Sequence, residues 1–155
     1  MDKAMIEKGI EQAGLVLEAN ALTQLTAYMG AFNAWNAVHN LTSIQSEKEQ
    51  VRALLAPSLA LCPWTDQYQC VLDLGSGGGF PGLVLALLKP DQQWVLVERN
   101  QKKANFLRYC KQDLSIKNAR IMQEDFTHLA VDEKVEAIVS RGSGKLPQQL
   151  VWTEA

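Results

Sequence analysis

A dense cluster of glycines near the middle of the chain limits the folds that this sequence can adopt. The segment VLDLGSGGGFPG, residues 71–82, holds five of the ten glycines and begins with an apolar run that contains one aspartate. Glycine inside a regular element costs roughly 0.5–1 kcal/mol relative to alanine. So dense a cluster predicts a turn at which the backbone itself, rather than a side chain, comes close to another group.

From this segment onward, short apolar runs alternate with helical patterns. The runs CVLDL, QQWVLVE, ARIMQ and VEAIVSR are typical of strands, and PGLVLALLK and QKKANFLRYCKQDL are typical of helices. This alternation indicates βαβ units and a mostly parallel sheet, so the predicted fold class is α/β. Four strands are fewer than such a sheet usually has, and we therefore expect its last strands to be missing from this chain.

The first 66 residues are predicted to form a helical extension. One segment repeats apolar residues at three- and four-residue steps, as a helix with one buried face does: Leu22, Leu25, Met29, Phe32 and Trp35. Ser46 and Glu49 have the spacing of a capping box that opens a further helix, which Pro57 is expected to kink or end. Residues 67–155 then form the α/β core, in one compact domain with the extension.

Composition narrows the classes of function. The chain has 155 residues, 47% hydrophobic and 21% charged, which is the balance of an ordinary globular domain rather than of a disordered segment. Its formal net charge is −2, so there is no overall attraction to nucleic acid. Any binding to nucleic acid has to come from a local basic patch.

Cysteine spacing and hydropathy bear on location and on metal binding. Three cysteines without a CxxC spacing, together with only two histidines, predict no metal site and favour reduced thiols in the cytoplasm. The N-terminal residues lack the apolar core of a signal peptide, and the most apolar stretch, ALLAPSLALCPW, is too short to span a bilayer. We therefore expect a cytoplasmic protein without a metal or a membrane partner.

The glycine segment lies between the first predicted strand and the helix after it. In parallel α/β sheets this turn is at the carboxyl edge, where ligands bind. Gly75, Gly77 and Gly79 would let the turn tighten and let a ligand reach the backbone, and the preceding strand positions Asp73 as a further candidate cofactor contact. Glu98 ends the second strand 23 residues after Gly75, close to the offset of about 20 at which a carboxylate binds ribose hydroxyls. A glycine-rich connector without a ligand is the alternative.

The glycine pattern alone does not choose between two classes of nucleoside ligand. Gly77, Gly79 and Gly82 satisfy the GxGxxG pattern of dinucleotide-binding proteins. Pro81, however, removes a backbone N–H donor from the first turn of the helix, where a pyrophosphate needs it. S-adenosylmethionine has no phosphate, so the sequence favours this methyl donor as the cofactor.

The segment after the third predicted strand supplies another candidate contact for a nucleoside. MQEDF, residues 122–126, places Glu124, Asp125 and Phe126 at the carboxyl edge of the sheet. A carboxylate or backbone group there can bind the adenine amino group, and the phenyl ring can cover the adenine ring. The alternative interpretation is a solvated acidic turn.

Several segments together resemble one known family. They are AWNAVHNLTSIQ, GFPG within the glycine segment, KKANFLR, and VSR. In these segments the sequence is similar to the glucose-inhibited division protein B family, bacterial methyltransferases that act on guanine N7 of small-subunit ribosomal RNA. The resemblance runs from about Leu22 to Trp152.

This resemblance implies a Rossmann-like methyltransferase fold, bound S-adenosylmethionine and an RNA substrate. It places the glycines of the turn at the methionine part of the cofactor, Glu98 at the ribose, and residues 124–126 at the adenine. Phe80 of GFPG joins the cofactor-binding residues. Arg141 in VSR matches a family arginine near the donor and the substrate, which makes it the candidate catalytic residue.

The sequence departs from the family pattern in three places. The family usually has a histidine and an aspartate in the helix after NLTS, where this sequence has Leu54 and Pro57. It usually has an arginine where Asp125 stands. It also continues beyond Trp152 with further strands of the sheet.

Cations are the candidate contacts for RNA phosphates and base edges. Some fall on the helix QKKANFLRYCKQDL and others lie near the predicted mouth of the site: Lys102, Lys103, Arg108, Arg141 and Lys145. The predicted partner is ribosomal RNA or the small ribosomal subunit.

The predicted chemistry does not require a general base. Guanine N7 has a free lone pair, so no proton has to leave before methyl transfer, and His128 is expected to be a surface residue. Two other functions stay open from the residues alone. One is a non-catalytic module that binds S-adenosylmethionine or another protein, and the other is a small-molecule methyltransferase.

Overall fold

The computed structural model describes residues 1–126 and 129–142, in which helices surround a parallel sheet. The helices are α1 Lys3–Gln12, α2 Ala19–His39, α3 Glu47–Gln50, α4 Ala56–Leu59, α5 Cys62–Thr65, α6 Gly82–Leu88 and α7 Gln101–Asp113. The strands are β1 Cys70–Leu74, β2 Gln93–Val97, β3 Ala119–Met122 and β4 Ala137–Ser140.

The four strands pair in parallel in the order β3-β2-β1-β4. The chain moves outward from β1 through β2 to β3, and then returns to add β4 on the other side of β1. This reversal of strand order opens a crevice at the carboxyl edge beside β1, where ligands of such sheets bind. The prediction of a mostly parallel sheet with these four strands is confirmed.

Apolar side chains cover both faces of the sheet. Val71 and Leu96 belong to the cluster that includes the helices, while Leu72 and Leu74 belong to a smaller cluster on the opposite face. All five residues of β1 are buried. Burial on both faces explains why this strand has a continuous apolar run instead of an alternating pattern.

The helical extension packs into the same core as the sheet. Tyr28, Met29 and Phe32 of α2 are almost fully buried in a cluster that also holds Leu83 of α6 and Phe106 of α7. The periodic apolar pattern of α2 therefore marks the face that covers the α/β core. The predicted boundary between residues 66 and 67 stays a prediction.

The sequence predicts a capping box at the start of the helix that contains Pro57, and a kink or an end at the proline. Pro57 does not end the helical run, because residues 51–55 form a π-helical stretch and α4 continues through Pro57 to Leu59. A π turn changes the hydrogen-bond pattern without breaking the helix. Ser46 is the N-cap of α3, but its side chain makes no capping hydrogen bond. Glu49 pairs with Arg52 instead, at 2.8 Å, so the predicted capping box is wrong.

Helix α2 also supports the glycine segment from behind. The Tyr28 hydroxyl donates to the carbonyl oxygen of Gly78, and the Phe32 ring lies directly against Gly78. Burial raises the pKa of Tyr28 well above its ordinary value, so the hydroxyl keeps its proton and remains a donor. The extension thus helps to shape the turn.

Removal of this hydroxyl measures how much the extension stabilises the turn. Tyr28→Phe keeps the buried ring but leaves the half-buried Gly78 carbonyl without its donor, which costs about 1–2 kcal/mol. We expect the free energy of unfolding in urea to fall by that amount. Tyr109→Phe, in a partly exposed ring, is the matched control and changes it by less than about 0.5 kcal/mol. Equal stability of Tyr28→Phe and the wild type would contradict this account.

Candidate functional site

A cavity of about 420 Å³ opens at the carboxyl ends of β1 and β2. The glycine segment forms its floor, and residues that follow β2 and β3 form one wall. The opposite wall comes from the extension, between residues 41 and 54, and from Arg141 after β4. Its volume lies in the range of small-ligand sites.

The glycine segment has one side toward the cavity and one side toward the core. Gly75, Gly77 and Gly79 have φ angles of 72°, 57° and 91°, which residues with a Cβ rarely adopt. A Cβ on Gly77 would point into open space, with its nearest neighbour at 3.9 Å. A Cβ on Gly79 would instead come within 2.9 Å of Leu83 in the core. Gly77 therefore leaves open space beside its backbone, and it lines the cavity together with Gly75 and Gly78.

Backbone hydrogen bonds fix this turn to the end of β2. The N–H groups of Gly75 and Ser76 both donate to the carbonyl oxygen of Val97, at 2.9 and 3.0 Å. The N–H of Gly79 donates to the carbonyl oxygen of Ser76 at 2.8 Å. The turn and the residue after Val97 are consequently held next to each other.

The residue after Val97 is Glu98, which is 7% exposed. Its Oε2 accepts a hydrogen bond from the N–H of Gly77 at 2.7 Å, and its Oε1 accepts one from the N–H of Asn100 at 2.8 Å. An ionised carboxylate has about four acceptor sites. Glu98 can therefore hold the turn and still accept hydrogen bonds from a ligand.

Asp73 is fully buried beneath the turn and does not line the cavity. Its Oδ2 accepts a hydrogen bond from the N–H of Gly82 at 2.9 Å, while its Oδ1 has no partner among the described residues. Burial raises the pKa of Asp73 to about 7, although the hydrogen bonds from Gly82 and Ser76 and the charge of Arg141 oppose this shift. The structure thus makes Asp73 a support of the turn.

The first turn of α6 offers no free donor for a phosphate. Pro81 has no N–H, and the N–H of Gly82 is used by Asp73. The N–H groups of Leu83 and Val84 both donate to the carbonyl oxygen of Gly79, at 3.0 and 3.2 Å. A pyrophosphate at a helix N-terminus needs such donors. This geometry supports the prediction from the sequence that the ligand is not a dinucleotide.

One end of the cavity combines an aromatic ring with charged side chains. Glu124, Asp125 and Phe126 line it, as do Arg99 and Lys103. The Arg99 guanidinium lies 3.8 Å from Oδ2 of Asp125, so part of the acidic charge is compensated. A planar ring and polar groups at this end fit a purine base.

The other end is formed by the turn after α2. Leu41, Thr42 and Ser43 line the cavity there. Oδ1 of the buried Asn36 accepts a hydrogen bond from the N–H of Thr42 at 2.8 Å, and Nε2 of Gln50 donates to the carbonyl oxygen of Ile44 at 2.9 Å. Buried amides hold this turn on both sides, so the wall is rigidly placed.

Arg141 reaches this same end from β4. Its guanidinium donates to the carbonyl oxygen of Ala53 at 3.2 Å. Ala53 belongs to the π-helical stretch of residues 51–55, so the extension and the residue after β4 meet at this hydrogen bond.

Comparisons with known proteins agree with this site. The family model described as rRNA small subunit methyltransferase G matches residues 21–155. A protein named ribosomal RNA small subunit methyltransferase G from Dichelobacter nodosus is 32% identical over 97% of this chain and 72% of its own length. Its namesake from Methylobacillus flagellatus is 35% identical over 91% of this chain and 68% of its own length. The chain belongs to this family.

Solved structures with similar folds are also methyltransferases by title. A putative O-methyltransferase from Klebsiella pneumoniae covers 81% of this chain and 58% of its own, with a TM-score of 0.59 at 17% identity. Coclaurine N-methyltransferase, bound to N-methylheliamine and SAH, covers 89% of this chain and 46% of its own, with a TM-score of 0.54 at 12% identity. At these identities the likeness concerns the fold alone. The predicted Rossmann-like methyltransferase fold of this family member is confirmed.

The structure brings most of the predicted site residues to the cavity. Those that line it are Gly75, Gly77, Phe80, Glu98, Glu124, Asp125, Phe126, Lys103 and Arg141. Asp73 and Gly79 lie behind the turn instead. Lys102 is exposed on α7, and Arg108 lies in a separate groove with Lys111 and Arg120. Lys145 and His128 lie outside the described residues.

Besides Ser76, which lies within the glycine segment itself, three polar residues that line the cavity were not predicted from the sequence. Thr42 and Ser43 belong to the NLTS segment, which carried the resemblance but had no assigned role, and Arg99 follows Glu98 directly. Their positions depend on how α2 packs against the sheet and on the direction of the chain after β2. The one local signal in the sequence was that Arg99 directly follows Glu98, a predicted cofactor-binding residue.

Metal and membrane features are absent from the part of the chain that the structure describes. Within residues 1–126 and 129–142, no group of three or more His, Cys, Asp and Glu side chains is arranged to hold a metal ion. None of the helices there combines the length and apolar character needed to cross a bilayer.

The buried carboxyl group of Asp73 makes stability depend on pH. A carboxyl with a higher pKa in the folded than in the unfolded chain binds more protons when folded. Its contribution to stability is then full below its ordinary value of 3.8 and is lost as pH rises to about 7. We therefore expect the difference in unfolding free energy between the wild type and Asp73→Asn to change as pH rises from 3.8 to about 7, to the disadvantage of the wild type. The change is at most about 1.4 kcal/mol per pH unit. Urea titrations at several pH values measure it, and a difference that does not change with pH would refute the assignment.

Proposed function

We propose that the chain is an S-adenosylmethionine-dependent methyltransferase that acts on guanine N7 of small-subunit ribosomal RNA in the bacterial cytoplasm. The observation that supports it most directly is the cavity floor, where the bare backbone of Gly77 and the buried carboxylate of Glu98 lie side by side. Family membership supports the ribosomal RNA substrate. The resemblance in the sequence supports guanine N7 as the acceptor atom.

The residues of the cavity fit the methyl donor in three parts. The open face of Gly77 leaves room for the methionine part, and the remaining acceptor sites of Glu98 suit the two ribose hydroxyls. Phe126 and the backbone of residues 124–126 suit the adenine ring and its amino group. When bound, S-adenosylmethionine supplies a methyl group on a positively charged sulfur that is ready for attack by a nucleophile.

The opposite end of the cavity suits the acceptor base. Thr42 and Ser43 bring hydroxyl and backbone groups there, and Arg141 brings a guanidinium. Guanine N7 already has a lone pair, so the residues have to position the base and do not have to remove a proton. Proximity and orientation are sufficient sources of rate for such a step. Arg141 is the residue that we assign to orienting the acceptor through charge-assisted hydrogen bonds.

Transfer of a labelled methyl group tests the whole proposal. Small ribosomal subunits purified from cells that lack this family's enzyme should accept tritiated methyl groups from S-adenosylmethionine, and 7-methylguanosine should appear in digests of their RNA. Arg141→Ala is expected to lower kcat while donor affinity stays within about threefold, with partial rescue by Arg141→Lys. Donor binding without transfer would favour the non-catalytic module, and transfer to small molecules alone would favour the third alternative.

A single carboxylate tests the assignment of the donor. Glu98→Ala removes the proposed ribose acceptor and the hydrogen bond to Gly77, so donor affinity measured by calorimetry should fall by about 1.5–3 kcal/mol. Asp91→Ala, an exposed carboxylate that does not line the cavity, is the control and should lose much less. Similar losses in the two variants would show that Glu98 is not the specific ribose contact.

A further inference from the structure

Three rings contact one another outside the cavity. Trp35 contacts His39 with ring centroids 5.0 Å apart, and it contacts Tyr109 of α7 with centroids 5.4 Å apart. Tyr109 is 42% exposed and the neighbouring Val38 is 72% exposed, while Trp35 and His39 are half-buried. We call Trp35, His39 and Tyr109 the Trp35 platform. Part of Trp35 packs against the core, and the exposed part of the platform is open to solvent.

The Trp35 platform is connected to the cavity by ring contacts. Phe32 lines the cavity and contacts Phe106 with centroids 5.9 Å apart, and Phe106 contacts Trp35 with centroids 5.6 Å apart. The chain links the two places as well. His39 comes three residues before Thr42 of the acceptor wall, and Tyr109 comes six residues after Lys103 on α7.

Of the two helices that carry the platform, α7 has a positive balance of charge and α2 is formally neutral. Residues 19–39 contain no Asp, Glu, Lys or Arg, and residues 101–113 contain one carboxylate, Asp113. The second of these segments contains four cations, Lys102, Lys103, Arg108 and Lys111. In a chain with a net charge of −2, this is a local basic surface around exposed aromatic rings.

We propose that the Trp35 platform stacks an unpaired base of the RNA strand next to the nucleotide that enters the cavity. This inference rests on the proposed function, since it supplies the second contact of the same substrate. Proteins recognise single-stranded RNA by stacking bases on aromatic side chains beside cations that hold the phosphates. The excess of cations on α7, four against the single carboxylate of Asp113, favours this polyanion over a protein partner.

The binding test uses a fluorescein-labelled oligoadenylate of about ten nucleotides, because purine bases stack well. Fluorescence anisotropy measures its affinity for the complete chain. Tyr109→Ala and His39→Ala should each weaken binding by roughly 5- to 100-fold, the effect of losing one stacked base. Tyr109→Phe keeps the ring and should stay within about twofold of the wild type. Trp64→Ala removes a 73% exposed ring from α5 and is the matched control with no expected effect.

Salt dependence separates stacking from charge. The fold loss of RNA affinity in Tyr109→Ala should be the same at about 50 mM and at about 200 mM salt, because stacking releases no counterions. Lys102→Gln should instead reduce the slope of log affinity against log salt, by at most about one unit.

Several results would overturn the platform. One is a wild-type chain that does not bind oligoadenylate at all in this assay, and another is wild-type affinity in both Tyr109→Ala and His39→Ala. A loss of affinity in Trp64→Ala equal to that of the two platform variants is the third such result. A dimer in sedimentation that Tyr109→Ala dissociates, with no RNA binding, would assign the surface to a second copy of the chain and also overturn it.

Calorimetry with S-adenosylmethionine keeps this test distinct from that of the proposed function. Every platform variant is expected to bind the donor with wild-type affinity, since none of the three rings lines the cavity. Failure of the wild type to bind the donor would reject the proposed function, whereas loss of RNA stacking with normal donor binding bears on the platform alone.

Discussion

The hydrogen bond from the N–H of Gly77 to the carboxylate of Glu98 is the constraint on which the site depends. It holds the cavity side of the glycine turn, while the Tyr28 hydroxyl holds the other side through Gly78. A glycine-rich turn has high conformational entropy in the unfolded chain, so it needs such contacts to become ordered. Because both contacts come from outside the turn, the sheet and the extension jointly determine its shape.

Asp73 shows how the beginning of α6 is tied to β1. Its Oδ2 accepts a hydrogen bond from the N–H of Gly82, which has no carbonyl partner earlier in the helix. A Cβ on Gly82 would come within 2.8 Å of the Cβ of Asp73. The close approach explains the last glycine of the segment. The cost is a buried carboxyl whose pKa is raised to about 7, so the charge beneath the turn varies near neutral pH.

Local patterns were sufficient to predict the sheet and much of the cavity. The strands and helices after residue 70 have short, clear periodicities, and the carboxyl ends of parallel strands meet at one edge, so Glu98 and Phe126 could be placed together. Whether a given glycine faces the cavity or the core depends on the path of the turn, which the sequence pattern does not give. For this reason the sequence predicted Gly79 as a ligand contact together with Gly77. Thr42 lies 28 residues before β1, and only the packing of α2 brings it to the cavity.

The two ends of the cavity differ in how their cations are compensated. Arg99 lies near Asp125, so its charge is partly balanced by a carboxylate at the end that suits a neutral adenine ring. Arg141 is held by the carbonyl oxygen of Ala53, an uncharged acceptor, and its charge acts on the buried carboxyl of Asp73, whose pKa is raised to about 7. Asp73 is therefore only partly ionised near neutral pH and balances only part of the charge of Arg141. In the proposed function the remaining charge orients the RNA nucleotide, because both the phosphates and the acceptor edge of guanine attract it.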